Sequence, residues 1–487
     1  MIKFGLEYRL NTLASLMCLL VVTSCSQKQN WPQFRGQESN MISVVANLPG
    51  QWGNDKNIKW KYKLDGAGWS SPIVWEDKVF LSSAFPESVA SGPAQQNGPP
   101  MPEDIDEQED DTTSQRRTPP PPRPHNGAAP GQNPQGPPRP PDNDSSFLKD
   151  VYRWEVTCIN LNSGKELWKQ VAYKGSPRVN KHSQNSYASE TPVTDGKRVF
   201  VYFGMTGLFC YDMDGKQLWQ KDLGAFKTQN GWGTGASPII WKDVLYIQND
   251  NEENSFIVAI DAATGTEKWR TIRAEKSTYS TPFLWKNKIR EELVALGKTA
   301  RSYDLQTGKL LWEMKVGGEQ SIPSPVADEN HIFLGNPGGR EIKSKLFAIK
   351  AGAEGDITLA EGAASNKWVE WSIPDAGLGN GSPLLYKGYL YYLSAQGRLF
   401  NCLNSENGKQ IYTQRIKRLG AIWASPWAYD DKICFYDEKG VTRTIQAGEQ
   451  FKLLSENKLS DKFWASVAIT GNAYIFKGAD WLYCIED

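Results

Sequence analysis

Few residues of this chain have the type and spacing for covalent or acid–base chemistry. Its three histidines, His125, His182 and His331, stand far apart in a sequence of 487 residues, so a multi-histidine metal site is not expected. Beyond Cys18 and Cys25 there are five cysteines, an odd number, with no adjacent pair and no C-x-x-C spacing. Metal and thiol redox clusters need such spacing. Cys158, Cys210, Cys402 and Cys484 recur in VTCIN, LFCYD, FNCLN and LYCIE, where two similar segments carry Ala259 and Ala348. A slot that takes either residue wants a small apolar side chain, so these thiols are read as packing groups. One acid–base pair remains, His182 with Glu190 in the stretch KGSPRVNKHSQNSYASE, which also holds Arg178, Lys181 and Asn185. Imidazole titrates near neutral pH and a carboxylate can orient it for proton transfer. A similar stretch, KTQNGWGTG, adds Asn230 and Trp232. There is no Ser-His-Asp order and no phosphate-binding glycine loop, so no catalytic residue and no metal ligand is assigned.

Charge narrows the partners. Lys plus Arg number 55 and Asp plus Glu 55, a formal net charge of zero, whereas a grip on phosphates needs a concentrated excess of cations. No nucleic-acid partner is expected. At the N-terminus, Lys3 and Arg9 precede an apolar run, Leu13 to Val22, too short to span a bilayer. The following LVVTSC resembles a bacterial lipobox. It implies a signal peptide over residues 1–24, lipidation at Cys25, and a tether and leader over 25–56. The expected location is the cell envelope, with the chain held to a membrane by the lipid at Cys25 on the periplasmic or surface side.

The elements that must position any site are repeats. Ser71, Thr191, Ser237, Thr281, Ser324, Ser382 and Ser425 each precede a proline and open an apolar run, and Ser466-Val467 is a degenerate eighth copy. The third unit reads as four strands: SPIIW, VLYIQN, SFIVAID and TEKWRTI, separated by turn residues. A turn glycine recurs at Gly164, Gly215, Gly265, Gly308 and Gly408, followed at a fixed distance by Trp168, Trp219, Trp269, Trp312 and Tyr412. These aromatics are expected to dock neighbouring sheets on one another. The pattern predicts an all-β, eight-bladed β-propeller of four-stranded antiparallel blades over residues 57–487. The last blade, ending in ADWLYCIED, lacks a fourth strand, and NIKWKYKL, Asn57 to Leu64, is expected to complete it and close the ring.

LNSGKELW, DMDGKQLW, DAATGTEKW and DLQTGKLLW resemble the tryptophan-docking repeats of pyrroloquinoline-quinone-like (PQQ-like) propellers, and NWPQFRG at Asn30 to Gly36 is similar to a leader of exported members. The resemblance covers nearly all of the chain outside the tether and the insertions. Its family implies two jobs. Some members resemble scaffolds, such as the lipoprotein of the outer-membrane β-barrel assembly machinery; others are quinone-dependent alcohol or sugar dehydrogenases using PQQ with calcium. The adjacent cysteines that the alcohol-oxidising branch would imply are missing, and no calcium motif matches. The reading is therefore a non-catalytic, monomeric module without cofactor, binding an envelope protein or a glycan, with the quinone enzyme and a carbohydrate-binding component as alternatives.

Ligand-binding candidates follow from blade geometry. Loops between blades share a face with loops between second and third strands. Two residues before each Ser/Thr stand Trp69, Ser189, Gly235, Tyr279, Ile322, Asn380, Trp423 and Trp464. Trp69, Trp423 and Trp464 become neighbours once the ring closes, predicting an aromatic sector suited to stacking on a sugar, a flat ligand or a partner loop. Tyr279, Asn380, His182, Glu190 and Trp232 are further candidates on that rim. Residues 86–148, within the first blade, hold 16 of 29 prolines and the acidic EDIDEQEDD, a composition expected to stay disordered or polyproline-like. Extra residues near 352–367 are expected on the opposite face as a separate contact surface.

Overall fold

Short runs of β-branched and aromatic residues between Gly, Asn and Asp turns fold here into antiparallel sheets stacked around an axis. The computed structural model describes residues 29–44, 47–89, 150–318, 321–337, 343–394 and 398–487. Residues 1–28, where the signal peptide and the lipidated Cys25 are expected, and nearly all of the proline-rich insertion lie outside the described residues. Eight sheets, each with four antiparallel strands and one with a fifth strand added at its edge, form an eight-bladed propeller. Blades 1 to 8 have as innermost strands Ile73–Trp75, Val193–Thr194, Ile239–Trp241, Phe283–Lys286, Val326–Ala327, Leu384–Tyr386, Trp427–Tyr429 and Ala468–Thr470. In blade 8 the outer strand is Ile58–Lys63, paired antiparallel with Trp481–Ile485, so the N-terminal strand closes the ring as the alternation predicts.

The repeated Ser/Thr has a physical reason. The backbone N–H of Ser71 donates to the Thr191 hydroxyl, Thr191 to Ser237, Ser237 to Thr281, Thr281 to Ser324 and Ser324 to Ser382, all at 2.9–3.0 Å. Ser425 donates to Ser466 and Ser466 back to Ser71, both at 3.0 Å. These buried hydroxyls satisfy donors that an innermost edge strand would otherwise leave orphaned. The following proline has no N–H and so removes a second orphan.

Blade-to-blade docking explains the small slot. Cys158 lies between Phe80 and Trp168, Cys210 between Phe200 and Trp219, and Ala259 between Tyr246 and Trp269 in adjacent strands. The flanking rings approach to 5.8–6.0 Å across that slot, which a larger residue would fill. Trp168, Trp219 and Trp269 donate their indole N–H to Met213, Ala262 and Leu305 carbonyls of the next blade at 3.0–3.1 Å. Trp371 and Trp60, which the repeat pattern does not single out, do the same to Ser405 and Leu161. Trp312 does not. It is fully buried and donates to Glu292 in its own blade at 2.9 Å, because residues Gly355–Asp356 of blade 5 add a parallel fifth strand over it. The extra residues of blade 5 thus cap the edge of blade 4, with Ile357 buried, rather than stand off as a separate contact surface. Tyr412 packs edge-on against Phe451 of blade 7.

The leader is part of the ring. Trp31 forms a β-bridge with Val74, Pro32 accepts from Thr194 N–H, and Gln33 accepts from Ile240 N–H. Arg35 donates to the carbonyls of Pro325 (2.7 Å) and Pro383 (3.0 Å), and Met41 and Ser43 bond Ala428. One short segment therefore touches the innermost strands of blades 1, 2, 3, 5, 6 and 7. With Trp31, Arg35 and Met41 at most 1% exposed, it plugs the channel from the end that carries the turns between first and second strands.

Candidate functional site

The leader fills one end, and the opposite face is formed by the loops between blades and between second and third strands. On it, Trp69 and Trp464 of blades 1 and 8 stack at 4.1 Å with 28° between their planes. Both are half-buried, and the Trp69 indole N–H donates to Gln184 O at 2.8 Å. Trp423, one blade back, is 37% exposed, and its indole N–H donates to Glu438 at 3.3 Å. Ring closure therefore brings the three tryptophans into neighbouring blades. Two of them consume one face each on one another, leaving Trp423 as the exposed indole.

The other candidates do not join this sector. Tyr279 sits across the ring between blades 3 and 4, half-buried, its N–H donating to Ser321 O. Asn380 lies half-buried between blades 5 and 6. Trp232 packs edge-on to His182 at 6.5 Å, and its carbonyl accepts from Asn185. His182 and Glu190 are not brought together. His182 is exposed and its Nδ1 accepts from Gln184 N–H within its own loop, while Glu190 is 1% exposed and turned inward to accept from Gly204 N–H at 3.2 Å. Though only eight positions apart in sequence, they do not fold into a pair, because Glu190 belongs to the inner strand's lead-in and His182 to the loop above it.

Two buried charges on this face were not read from the sequence as a set. Burial pushes the Glu190 carboxyl up to about 7. Burial likewise pulls Lys477 down to about 7; its ammonium donates to the Ser70 hydroxyl (2.8 Å) and Ser82 carbonyl (2.7 Å), spanning the seam between blades 8 and 1. Lys477 follows the buried strand AYIF, and the register pairing Ala468 with Ile475, like Ile239 with Tyr246, places it where blade 3 has Gln248. The signal was a lysine at a strand position where the repeat elsewhere is neutral.

What the face can do is stack, hydrogen-bond and attract charge. All five described cysteines are buried, and burial raises their thiols to about 12, which leaves them protonated. Among the described residues no group of three or more His, Cys, Asp or Glu is placed to hold a metal. No helix among them is long and apolar enough to cross a membrane. An open hollow of about 400 Å³ lined by Asn54, Lys59 and Glu486 lies at the outer edge of blade 8, away from the mouth.

A family model described as outer membrane protein assembly factor BamB matches residues 153–324 and again 290–477, together more than half of the chain. The chain belongs to this family. Two overlapping matches are what a tandem array of BamB-type, PQQ-like blades produces. Among solved structures, the quinohemoprotein alcohol dehydrogenase of Comamonas testosteroni superposes with a TM-score of 0.54 at 11% identity, over 94% of this chain and 80% of that one. That likeness is one of fold. BamB of Moraxella catarrhalis gives a TM-score of 0.39 at 14% identity, over 62% of this chain and 97% of that one. The tetrathionate hydrolase of Acidithiobacillus ferrooxidans is 22% identical over 275 residues, 54% of this chain and 49% of that protein. The chain spans about half the length of that curated relative.

Proposed function

We propose that this protein is a lipid-anchored cell-envelope propeller that binds a protein or glycan partner through its open mouth and is not itself a catalyst. The observation that carries the reading is the asymmetry of the ring: one end sealed by Trp31, Arg35 and Met41, the other presenting an exposed indole beside a stacked pair. Membership of a family described by outer-membrane protein assembly supports an envelope role. The tether supports the orientation. From Cys25 to Trp31 the chain reaches about 20 Å at most, by the extended span per residue, so a lipid at Cys25 holds the plugged end toward the membrane and leaves the mouth facing away.

Quinone chemistry is the alternative, and the residues present do not fit it. A planar cofactor over a propeller mouth needs an open slot and a cation site, whereas Trp69 and Trp464 close on one another and no carboxylate cluster converges among the described residues. Titrating the intact protein with PQQ and calcium, followed by tryptophan fluorescence, tests the choice. The expected result is no saturable signal. One-to-one binding that is lost in Trp464→Ala would replace this reading with a quinone-dependent oxidoreductase.

A further inference from the structure

A charge in a protein interior has to be paired, discharged or shared with a ligand, because an isolated ion loses more hydration than neutral dipoles return. Four basic side chains are buried among the described residues: Arg35, Arg273, Arg443 and Lys477. Three of them are compensated. Arg273 grips Asp250 through Nε (2.7 Å) and Nη2 (3.1 Å). Arg443 lies between Asp437 (3.4 Å) and Glu456 (2.8 Å). Lys477 can release its proton, since burial pulls it down to about 7. Arg35 has neither recourse. Burial pulls its guanidinium down only to about 9, which leaves it charged at neutral pH. Its partners among the described residues are the carbonyls of Pro325 (2.7 Å) and Pro383 (3.0 Å), neutral groups that leave the charge uncompensated.

Geometry adds free donors. Arg35 is 1% exposed, and its Nε–H is buried with no partner. On the same leader the Trp31 indole N–H is also buried and unpartnered, and among the described residues 29–44 no buried side-chain acceptor is. Orphaned buried donors are rare and costly, and they point to a bound acceptor. The two carbonyls that hold Arg35 belong to the residues following Ser324 and Ser382, so the guanidinium lies just inside the hydroxyl ring, on its plugged side. Those two hydroxyl oxygens accept the N–H groups of Thr281 and Ser324, both at 3.0 Å, and neither hydroxyl donates to another protein group among the described residues. A hydroxyl that accepts in this way keeps its hydrogen to give. What remains to be offered here is one positive charge with N–H and O–H hydrogens.

We propose that a single chloride ion binds inside the hydroxyl ring on the Nε–H of Arg35 and acts as the counter-ion that ties the leader to blades 5 and 6. The lone guanidinium sets the charge of the ligand at minus one. Enclosure sets its size: Trp31, Arg35 and Met41 are at most 1% exposed, which leaves no path for a larger anion from the plugged end. A water molecule would satisfy the N–H but not the charge. The site is independent of whatever the mouth binds.

Crystals of the intact protein grown in bromide, with diffraction collected at the bromine absorption edge, locate the ion. The expected result is an anomalous peak within hydrogen-bonding reach of Arg35 Nε. In parallel, thermal unfolding of the intact protein is followed as chloride replaces gluconate at constant ionic strength. Because chloride binds the folded chain, the melting temperature is expected to rise by about 1 °C per tenfold increase in chloride. Arg35→Met abolishes that rise. Ser382→Ala, which keeps the guanidinium and removes one ring donor, needs about tenfold more chloride for the same rise, and it carries the test if Arg35→Met does not fold. Bromide seen on exposed side chains but not at Arg35, an adventitious ion only, overturns the proposal. So does a melting temperature indifferent to the exchange of gluconate for chloride, or a chloride dependence that survives unchanged in Arg35→Met.

Discussion

Glu190 and Lys477 illustrate how a single side chain carries the signature of its surroundings. Both are at most 1% exposed on the mouth side, and burial moves each to about 7 from opposite directions, Glu190 up from 4.5 and Lys477 down from 10.5. Between pH 4.5 and about 7 the unfolded chain releases the glutamate proton that the folded chain keeps, so stability falls as pH rises. Between about 7 and 10.5 the folded chain holds the lysine neutral while the unfolded chain keeps its proton, so stability rises with pH. Their sum is a stability minimum near neutrality, with limbs of a few kcal/mol at most. Denaturant unfolding at pH 5, 7 and 9 checks this: Glu190→Gln flattens the acid limb and Lys477→Met the alkaline one. Limbs identical in wild type and variants would show that neither group titrates in these windows. Neither behaviour was legible in the sequence. Glu190 looks like a loop acid beside His182, and only the inner strand's lead-in reveals that it turns inward.

At the scale of the blade, the sequence is far more transparent, because each docking contact is made of residues at fixed local spacing. A turn glycine accepts the tryptophan ring of the preceding blade at Gly215, Gly265, Gly308 and Gly408. At Gly408, φ is +69° and a Cβ would lie 2.7 Å from the Trp371 ring, so both the backbone and the contact demand glycine. Gly408→Val is therefore expected to cost at least about 2 kcal/mol, from the left-handed conformation and the displaced indole together. Denaturant unfolding measures it, and a loss under about half a kcal/mol would mean the docking contact is not rigid. What the local pattern could not reveal is Trp312. Its partner is decided by Glu292 in the same blade and by a strand lent from blade 5, two contacts that no spacing within one repeat encodes. Trp371 and Trp60 were hidden for the converse reason: one follows an insertion and the other sits hundreds of residues from the blade it completes.

Over the whole molecule, closure and plugging give the ring its polarity. The count of blades and the strand that closes them follow from repeats and from a last unit one strand short, so the architecture was readable before any coordinate. The plug was not. NWPQFRG reads as a leader, yet its Arg35 reaches the carbonyls of two blades on the far side of the ring from Trp31's partner strand, an arrangement visible only once all blades are in place. A ring sealed at one end has one mouth with which to meet a partner. The most direct measurement is covalent footprinting of the protein in native envelope vesicles against the same protein reconstituted alone in lipid vesicles. The account predicts that Trp423, Lys417 and Lys462 are protected in the native envelope while Ile289 and Lys387 on the plugged face label equally in both. Equal labelling of the mouth in both preparations would contradict it.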